Sequence, residues 1–228
     1  MAKRFDQYCP MAHALSLIGE RWALLVVREL LKGPKRYTDL VDGLPGIGTN
    51  VLATRLRELE QAGVVRKRKL PPPAASTVYE MTEYGAGLDE VMHALARWGA
   101  RSLGPPGPGD ELDPEWGVNA FPALFNPEAA RGVTETYVIG VGDDVFTLRL
   151  EDGCMQAELG AAEQPAVHVR TDIDTFYALA AGDLDPRDAA EQGRLRFEGD
   201  PEAVARCFQV LSFAPRGAAA APRRPAVV

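Results

Sequence analysis

The stretch from Thr49 to Lys69, TNVLATRLRELEQAGVVRKRK, decides the fold. Leu52, Leu56 and Leu59 recur at helical spacing as one apolar stripe. At roughly 100° of rotation per residue, Asn50, Thr54, Arg57 and Gln61 project from the opposite face. The spacing predicts a helix from about Thr49 to Ala62, with Gly63 as its stop. Val64 to Leu70 then reads as a strand carrying four consecutive cations, Arg66, Lys67, Arg68 and Lys69. A proline tip, Pro71 to Pro73, and a second β-rich segment, Thr77 to Met81, complete a hairpin.

Upstream, Leu15, Ile18, Trp22, Leu25 and Val26 share helical spacing, and the run continues to Leu31 before Gly33-Pro34 stops it. This predicts one long core helix. Thr38 is placed to cap a short helix from Asp39 to Gly43, and Pro45-Gly46 breaks the chain before Thr49. Downstream, Thr82 starts a last helix bearing Leu88, Val91, Met92, Leu95 and Trp98. Two helices around a turn, followed by a basic hairpin, are the winged-helix plan: the second helix of the motif enters the major groove, and the wing reaches phosphates or the minor groove.

With 46% hydrophobic and 25% charged residues in 228, the chain has the composition of folded soluble domains, which excludes disorder throughout. Apolar runs such as Trp22 to Val27 fall far short of the roughly 20 residues that span a bilayer. The N-terminus MAKRFDQYCP lacks the apolar core of a signal peptide, so a cytoplasmic protein without membrane contact is expected. Cys9, Cys154 and Cys207 are widely spaced, and the histidines are His13, His93 and His168. Neither a disulfide framework nor a metal site is encoded, and no cofactor is implied.

The net charge of −7 conceals an asymmetry. Residues 1–104 carry 15 Lys and Arg against 11 Asp and Glu, whereas residues 105–228 carry 10 against 21. All five lysines lie in the first part. The basic half is the one suited to a polyanion, and the Gly104 to Gly109 run divides it from an acidic half. The expected organisation is a DNA-binding and dimerisation domain at 1–103, a Pro/Gly linker at 104–113, a second domain at 114–213 and a disordered tail at 214–228.

Residues 8–103 resemble the HxlR family of bacterial winged-helix transcriptional regulators, relatives of MarR-type repressors. The resemblance rests on Cys9-Pro10, Gly19-Glu20-Arg21-Trp22, Arg28-Glu29-Leu30-Leu31, Gly33-Pro34-Lys35-Arg36-Tyr37, Leu44-Pro45-Gly46-Ile47, Leu52-Ala53-Thr54-Arg55-Leu56, Leu59-Glu60-Gln61-Ala62-Gly63 and Tyr79-Glu80-Met81-Thr82-Glu83-Tyr84-Gly85, taken in order. It implies a homodimer built from the first and last helices on double-stranded palindromic operator DNA. By this resemblance Thr49, Asn50, Thr54 and Arg57 are candidates for base edges, against the plainer reading of a solvated helix face. Lys35, Arg36, Arg66, Lys67, Arg68 and Lys69 are phosphate candidates, only about half of the wing residues facing DNA because strand side chains alternate. Arg55 is open to a phosphate contact or an internal salt bridge. Where members carry Ser or Thr and then a basic residue at the start of the recognition helix, Gly48, Thr49 and Asn50 stand here, leaving the base preferences open.

In some HxlR-type regulators the cysteine of the Cys-Pro step senses oxidants or electrophiles, so the resemblance implies a redox role for Cys9. Lys3, Arg4 and the start of the following helix would favour its thiolate. The alternative is an unreactive thiol at the dimer seam.

After Pro114 the pattern changes to alternation. A helix is expected from Phe121 to Ala130, then strands at Thr136–Val141, Val145–Leu150 and Met155–Leu159 with turns at Gly142-Asp143-Asp144 and Asp152-Gly153, an antiparallel meander. Ala166–Arg170 makes a fourth strand. Thr171 or Asp172 caps a helix ending at Gly182, a short helix follows at Arg187–Gln192, and Leu195–Glu198 is a fifth strand. Asp200 and Pro201 begin the final helix. The fold class is therefore α+β: a winged helix-turn-helix domain, then an antiparallel sheet backed by helices.

Residues 118–213 look like the sterol-carrier (SCP-2) fold, through Asp174-Thr175-Phe176, Leu179-Ala180-Ala181-Gly182 and Gly193-Arg194-Leu195-Arg196-Phe197-Glu198-Gly199-Asp200. That resemblance implies a domain binding an apolar small-molecule effector, with Phe176, Tyr177, Phe197, Phe208, Leu211 and Phe213 as candidate cavity lining or as plain core. The function expected is a DNA-binding regulator modulated by an apolar effector or by Cys9, the alternative being a lipid carrier that uses its winged helix for protein contacts. Catalysis is not expected, since no P-loop, GxSxG, Rossmann or HExxH pattern occurs.

Overall fold

The computed structural model of the chain describes residues 5–73, 75–103, 106–107, 109–110 and 113–212. Lys3, Arg4, Phe213, the expected tail and half of the Pro/Gly linker lie outside them. The chain forms two compact units that divide between Met92 and His93.

In the first unit, α1 (Pro10–Ile18) and α2 (Ala23–Leu31) replace the single long helix expected. The break has a local cause. A Cβ at Gly19 would lie 2.4 Å from the Leu15 carbonyl oxygen, so the chain turns tightly over the end of α1, and Trp22 takes φ +78° before α2. The next helix, α3 (Tyr37–Asp42), begins earlier than Thr38 because the Asp39 carboxylate accepts the Arg36 backbone N–H at 2.8 Å, making Arg36 the cap. The recognition helix α4 (Thr49–Gln61) matches its expectation, with Gly63 at φ +71° just beyond it.

The hairpin strands β1 (Val65–Lys69) and β2 (Thr77–Met81) pair antiparallel, Arg66 opposite Glu80 and Lys67 opposite Tyr79. Thr82 caps only a four-residue helix, α5 (Glu83–Ala86), and Gly87 separates it from α6 (Leu88–Leu103), so the last helix is also divided. Val26, Val27, Leu30, Leu40, Leu44, Leu52, Leu56, Leu59 and Val64 form the core. Leu88 and Met92 pack against it.

The second unit starts its regular structure with α7 (Pro114–Leu124), displaced from the expected 121–130. Asn126 precedes Pro127, which disfavours helical backbone there, and the Asn126 N–H donates instead to the Val210 carbonyl at 2.8 Å. Strands β3 (Thr134–Val141), β4 (Asp144–Glu151) and β5 (Cys154–Leu159) form the antiparallel meander. β6 (Val167–Thr171) differs from a purely antiparallel sheet by pairing parallel to β3, and β7 (Leu195–Gly199) pairs antiparallel to β6. The sheet order is therefore β5-β4-β3-β6-β7.

Residues 160–166 make the crossover that a parallel neighbour requires. Its path explains a buried hydroxyl: Thr147 donates to the Gly160 carbonyl at 2.8 Å and accepts the Ala162 N–H at 3.0 Å. Helices α8 (Ile173–Ala181, capped by Asp172), α9 (Pro186–Glu191) and α10 (Pro201–Val210, capped by Asp200) complete the unit. Phe121, Tyr137, Ile139, Leu148, Val169, Phe176, Leu179 and Cys207 lie in one core between sheet and helices. No helix of the described residues is long and apolar enough to cross a membrane.

One polar cluster edges that core. The buried Tyr137 hydroxyl donates to Glu135 Oε2 at 2.6 Å, and Arg206 Nε donates to Oε1 at 3.1 Å. Burial pushes the Glu135 carboxyl up, but the bonds from Arg206 and Tyr137 outweigh it and hold the group below its ordinary 4.5. Burial and the bond to Glu135 push the Tyr137 hydroxyl far up, and burial likewise keeps the Cys207 thiol protonated. A depressed carboxyl stabilises the fold above its unfolded pKa, and that stability is lost as pH falls through the folded value. Glu135→Gln is accordingly expected to lower the melting temperature at neutral pH, with the gap to wild type closing as melts are recorded well below pH 4.5. A gap constant with pH would contradict the assignment.

Candidate nucleic-acid interface

The apolar stripe of α4 is wholly inside, Leu52, Leu56 and Leu59 each being at most 1% exposed, and this turns Thr49, Asn50, Arg57 and Gln61 to solvent. The Tyr37 hydroxyl donates to the Thr49 carbonyl at 2.7 Å, tying α3 to the start of α4. Thr54 is half-buried and donates to the Asn50 carbonyl at 2.9 Å, leaving its hydroxyl oxygen to accept. Arg57 forms no ion pair among the described residues.

Arg55 is different. It is half-buried, its guanidinium pairs with Glu58 and reaches Glu20 Oε2 at 3.5 Å, and its Nε has no hydrogen-bond partner. Of the two roles open to it, the internal salt bridge is formed, and it fastens α4 to the joint between α1 and α2.

Five of the six phosphate candidates also have partners within the chain. Lys35 Nζ lies 3.4 Å from Glu29 Oε2, a carboxylate 1% exposed that also binds Arg28 and Lys32. The Lys35 backbone pairs with Tyr79, its N–H donating at 3.0 Å and its carbonyl accepting at 2.8 Å, a single β-bridge that ties it to the outer edge of the hairpin. Arg36 is exposed, and its Nε donates to the Ser76 hydroxyl at 3.1 Å near the hairpin tip.

On β1 the alternation is plain. Arg66 Nε and Arg68 Nε donate to the two oxygens of Glu80, at 2.8 and 2.7 Å. On the other face Lys67 Nζ sits 3.3 Å from Glu60 Oε2 and 5.4 Å from the centre of the Tyr79 ring. Tyr79 and then Glu60 raise the Lys67 pKa, while the Arg68 hydrogen bond leads in holding Glu80 ionised. Lys69 is exposed. Sequence reasoning found the cations and missed the carboxylates that organise them, Glu20, Glu29, Glu60 and Glu80. Only Glu80 had a signal, since the strand pairing sets it opposite Arg66.

Cys9 is exposed and caps the start of α1, its carbonyl accepting the His13 N–H at 2.9 Å. In the second unit the five described candidate lining residues separate, Phe213 lying outside the described residues. Phe176 and Leu211 are buried in the core, and Phe176 stacks edge-on with Phe121 and the half-buried Tyr177. Phe197, 44% exposed, pairs with Phe208 at 6.0 Å. A groove of about 540 Å³ opens elsewhere, between Thr136, Arg149 and the crossover residues 161–164, on the sheet face opposite Tyr137 and Leu148.

With this geometry, the chain belongs to the HxlR-like helix-turn-helix family, whose model matches residues 17–106, and it carries a second domain matching the SCP-2 sterol transfer family over residues 118–212. Its relatives are helix-turn-helix transcriptional regulators. YodB of Bacillus subtilis is 38% identical over 91 residues, which is 40% of this chain and 81% of YodB. YtfH of Escherichia coli is 31% identical over 94 residues, covering 41% of this chain and 75% of YtfH. The solved structure of reduced YodB is 35% identical and covers 42% of this chain and 94% of that one, with a TM-score of 0.38.

The two arginines of α4 are separable by stability. Arg55→Ala strands the Glu58 carboxylate and is expected to cost about 1–3 kcal/mol. Arg57→Ala, on an open face, is expected to stay within about 0.5 kcal/mol. Denaturant titration of both variants measures the difference, and equal losses would show that Arg55 does not brace the motif.

Proposed function

We propose that the protein is a transcriptional regulator that binds operator DNA as a homodimer, with α4 in the major groove and the hairpin along the backbone. The observation that carries this reading is the polar face of α4, Thr49, Asn50 and Arg57, exposed beside a cationic hairpin while the opposite face is locked in the core. Arg57 and Asn50 read base edges; Arg36, Lys69 and the hairpin arginines bind phosphates.

Exposed apolar side chains favour the dimer. Tyr8 just before α1, Met11 and Leu15 on it, and Val91, Leu95 and Trp98 on α6 stand in solvent in a single chain. A second copy would cover them, as Trp and Tyr anchors cover interface cores. The SCP-2 domain then serves as receiver for an apolar small molecule, and Cys9, exposed where α1 begins, as a site of oxidant sensing. Either input regulates only by favouring one dimer arrangement over another.

Fluorescence anisotropy of the full chain on the DNA upstream of its own gene, against a scrambled duplex and across a salt series, tests the reading. Preference for the upstream DNA with a steep salt dependence is expected, and Arg57→Ala is expected to lower that preference more than the binding to scrambled DNA. Equal loss on both duplexes would remove Arg57 from base reading, and no discrimination at any salt would favour a lipid-carrier function. Oxidant is expected to weaken binding in wild type and not in Cys9→Ser. Trp98→Asp is expected to shift the sedimenting species from dimer towards monomer, and an unchanged dimer would place the seam elsewhere.

A further inference from the structure

The hairpin cations differ in how their charges are held, and the difference has consequences for binding. Arg66 and Arg68 lie two residues apart on β1 and so share one face of the strand. Two like charges on one face repel, yet both side chains converge on Glu80, one on each carboxylate oxygen. The convergence uses the inner nitrogen of each guanidinium, Nε. Glu80 lies beneath, its side chain 11% exposed, while those of Arg66 and Arg68 are 64% and 43% exposed. The terminal NH2 groups of both arginines therefore remain available at the surface, side by side, over a carboxylate that fixes their spacing.

We propose that Arg66, Arg68 and Glu80 form a single seat for one backbone phosphate, in which Glu80 is a positioning residue rather than a contact. The charges balance: two guanidiniums and one carboxylate leave one positive charge, and a phosphodiester brings one negative charge. Two planar donor groups facing one tetrahedral anion give the bidentate geometry that favours arginine over lysine at phosphates. Lys67 and Lys69 point the other way from the strand and are no part of the seat. The inference rests on the DNA-binding reading above and adds that two of the cations count as one contact.

This makes a prediction that independent cations do not. With either arginine removed, Glu80 neutralises the one that remains, so the phosphate contact is lost whole and the second substitution has none left to remove. The measurement is the salt slope of full-chain binding to a random-sequence duplex, which reports the number of phosphates neutralised at about 0.9 per phosphate. Arg66→Ala, Arg68→Ala and the double variant are expected to lower the slope by the same step, about 0.9 per hairpin.

Glu80→Gln is expected to steepen the slope by freeing a second cation, and in that background the two arginine substitutions become additive. Equal successive steps in the wild-type background would overturn the seat while leaving DNA binding intact. Absence of binding to any duplex at low salt would overturn the DNA reading and the seat with it. The arginines are exposed, so their variants give this readout even where Glu80→Gln unsettles the hairpin.

Discussion

Burial of the three leucines of α4 is the constraint on which the DNA-binding half depends. Leu52, Leu56 and Leu59 enter a core made by α2, α3 and the start of the hairpin. At about 1.5–3 kcal/mol for each fully buried aliphatic side chain, they fix the rotation of the helix about its own axis far more firmly than any surface contact could. A polar face held at one rotation can read a groove. The Tyr37–Thr49 hydrogen bond and the Arg55 salt bridges then act on a helix whose facing is already set, one at its start and one towards the joint between α1 and α2.

Electrostatics follow a second rule in this unit. Most of the basic residues near the motif are held by carboxylates of the same chain: Glu29 gathers Arg28, Lys32 and Lys35, Glu60 takes Lys67, and Glu80 takes Arg66 and Arg68. Counting cations therefore overstates the field that a polyanion meets. It also understates the order of that field, because side chains tied at one nitrogen present the rest in a fixed direction and lose less entropy on binding.

The recognition helix and hairpin were legible because their signals are local: a leucine stripe, a glycine stop, and two β-rich runs around prolines. The SCP-2 strands were legible for the same reason, as alternation punctuated by turns of Gly and Asp. What could not be read was set by contacts between distant residues. Helical spacing runs unbroken through Ile18, Trp22 and Val26, and the bend there follows from the close approach of Gly19 to Leu15 and the left-handed backbone at Trp22. Alternation gave β6 as a strand without saying that it would lie parallel to β3. At the site, exposed residues such as Arg57 could be placed from helix geometry alone, whereas Lys35 and Arg55 depended on partners from other elements.

The crossover of residues 160–166 bears on how the second unit is made in the cell. β3 is central in the sheet, with β4 on one side and β6 on the other, yet β6 is synthesised after the whole meander. As the chain leaves the ribosome, β3, β4 and β5 can pair while the other edge of β3 stays open, a strand bearing Tyr137, Ile139 and Val141 with unpaired backbone groups. Such an edge invites another chain to add to it. The interval before Val167–Thr171 emerges is thus a time at which this half of the protein is open to misassembly, and one at which a chaperone could find it.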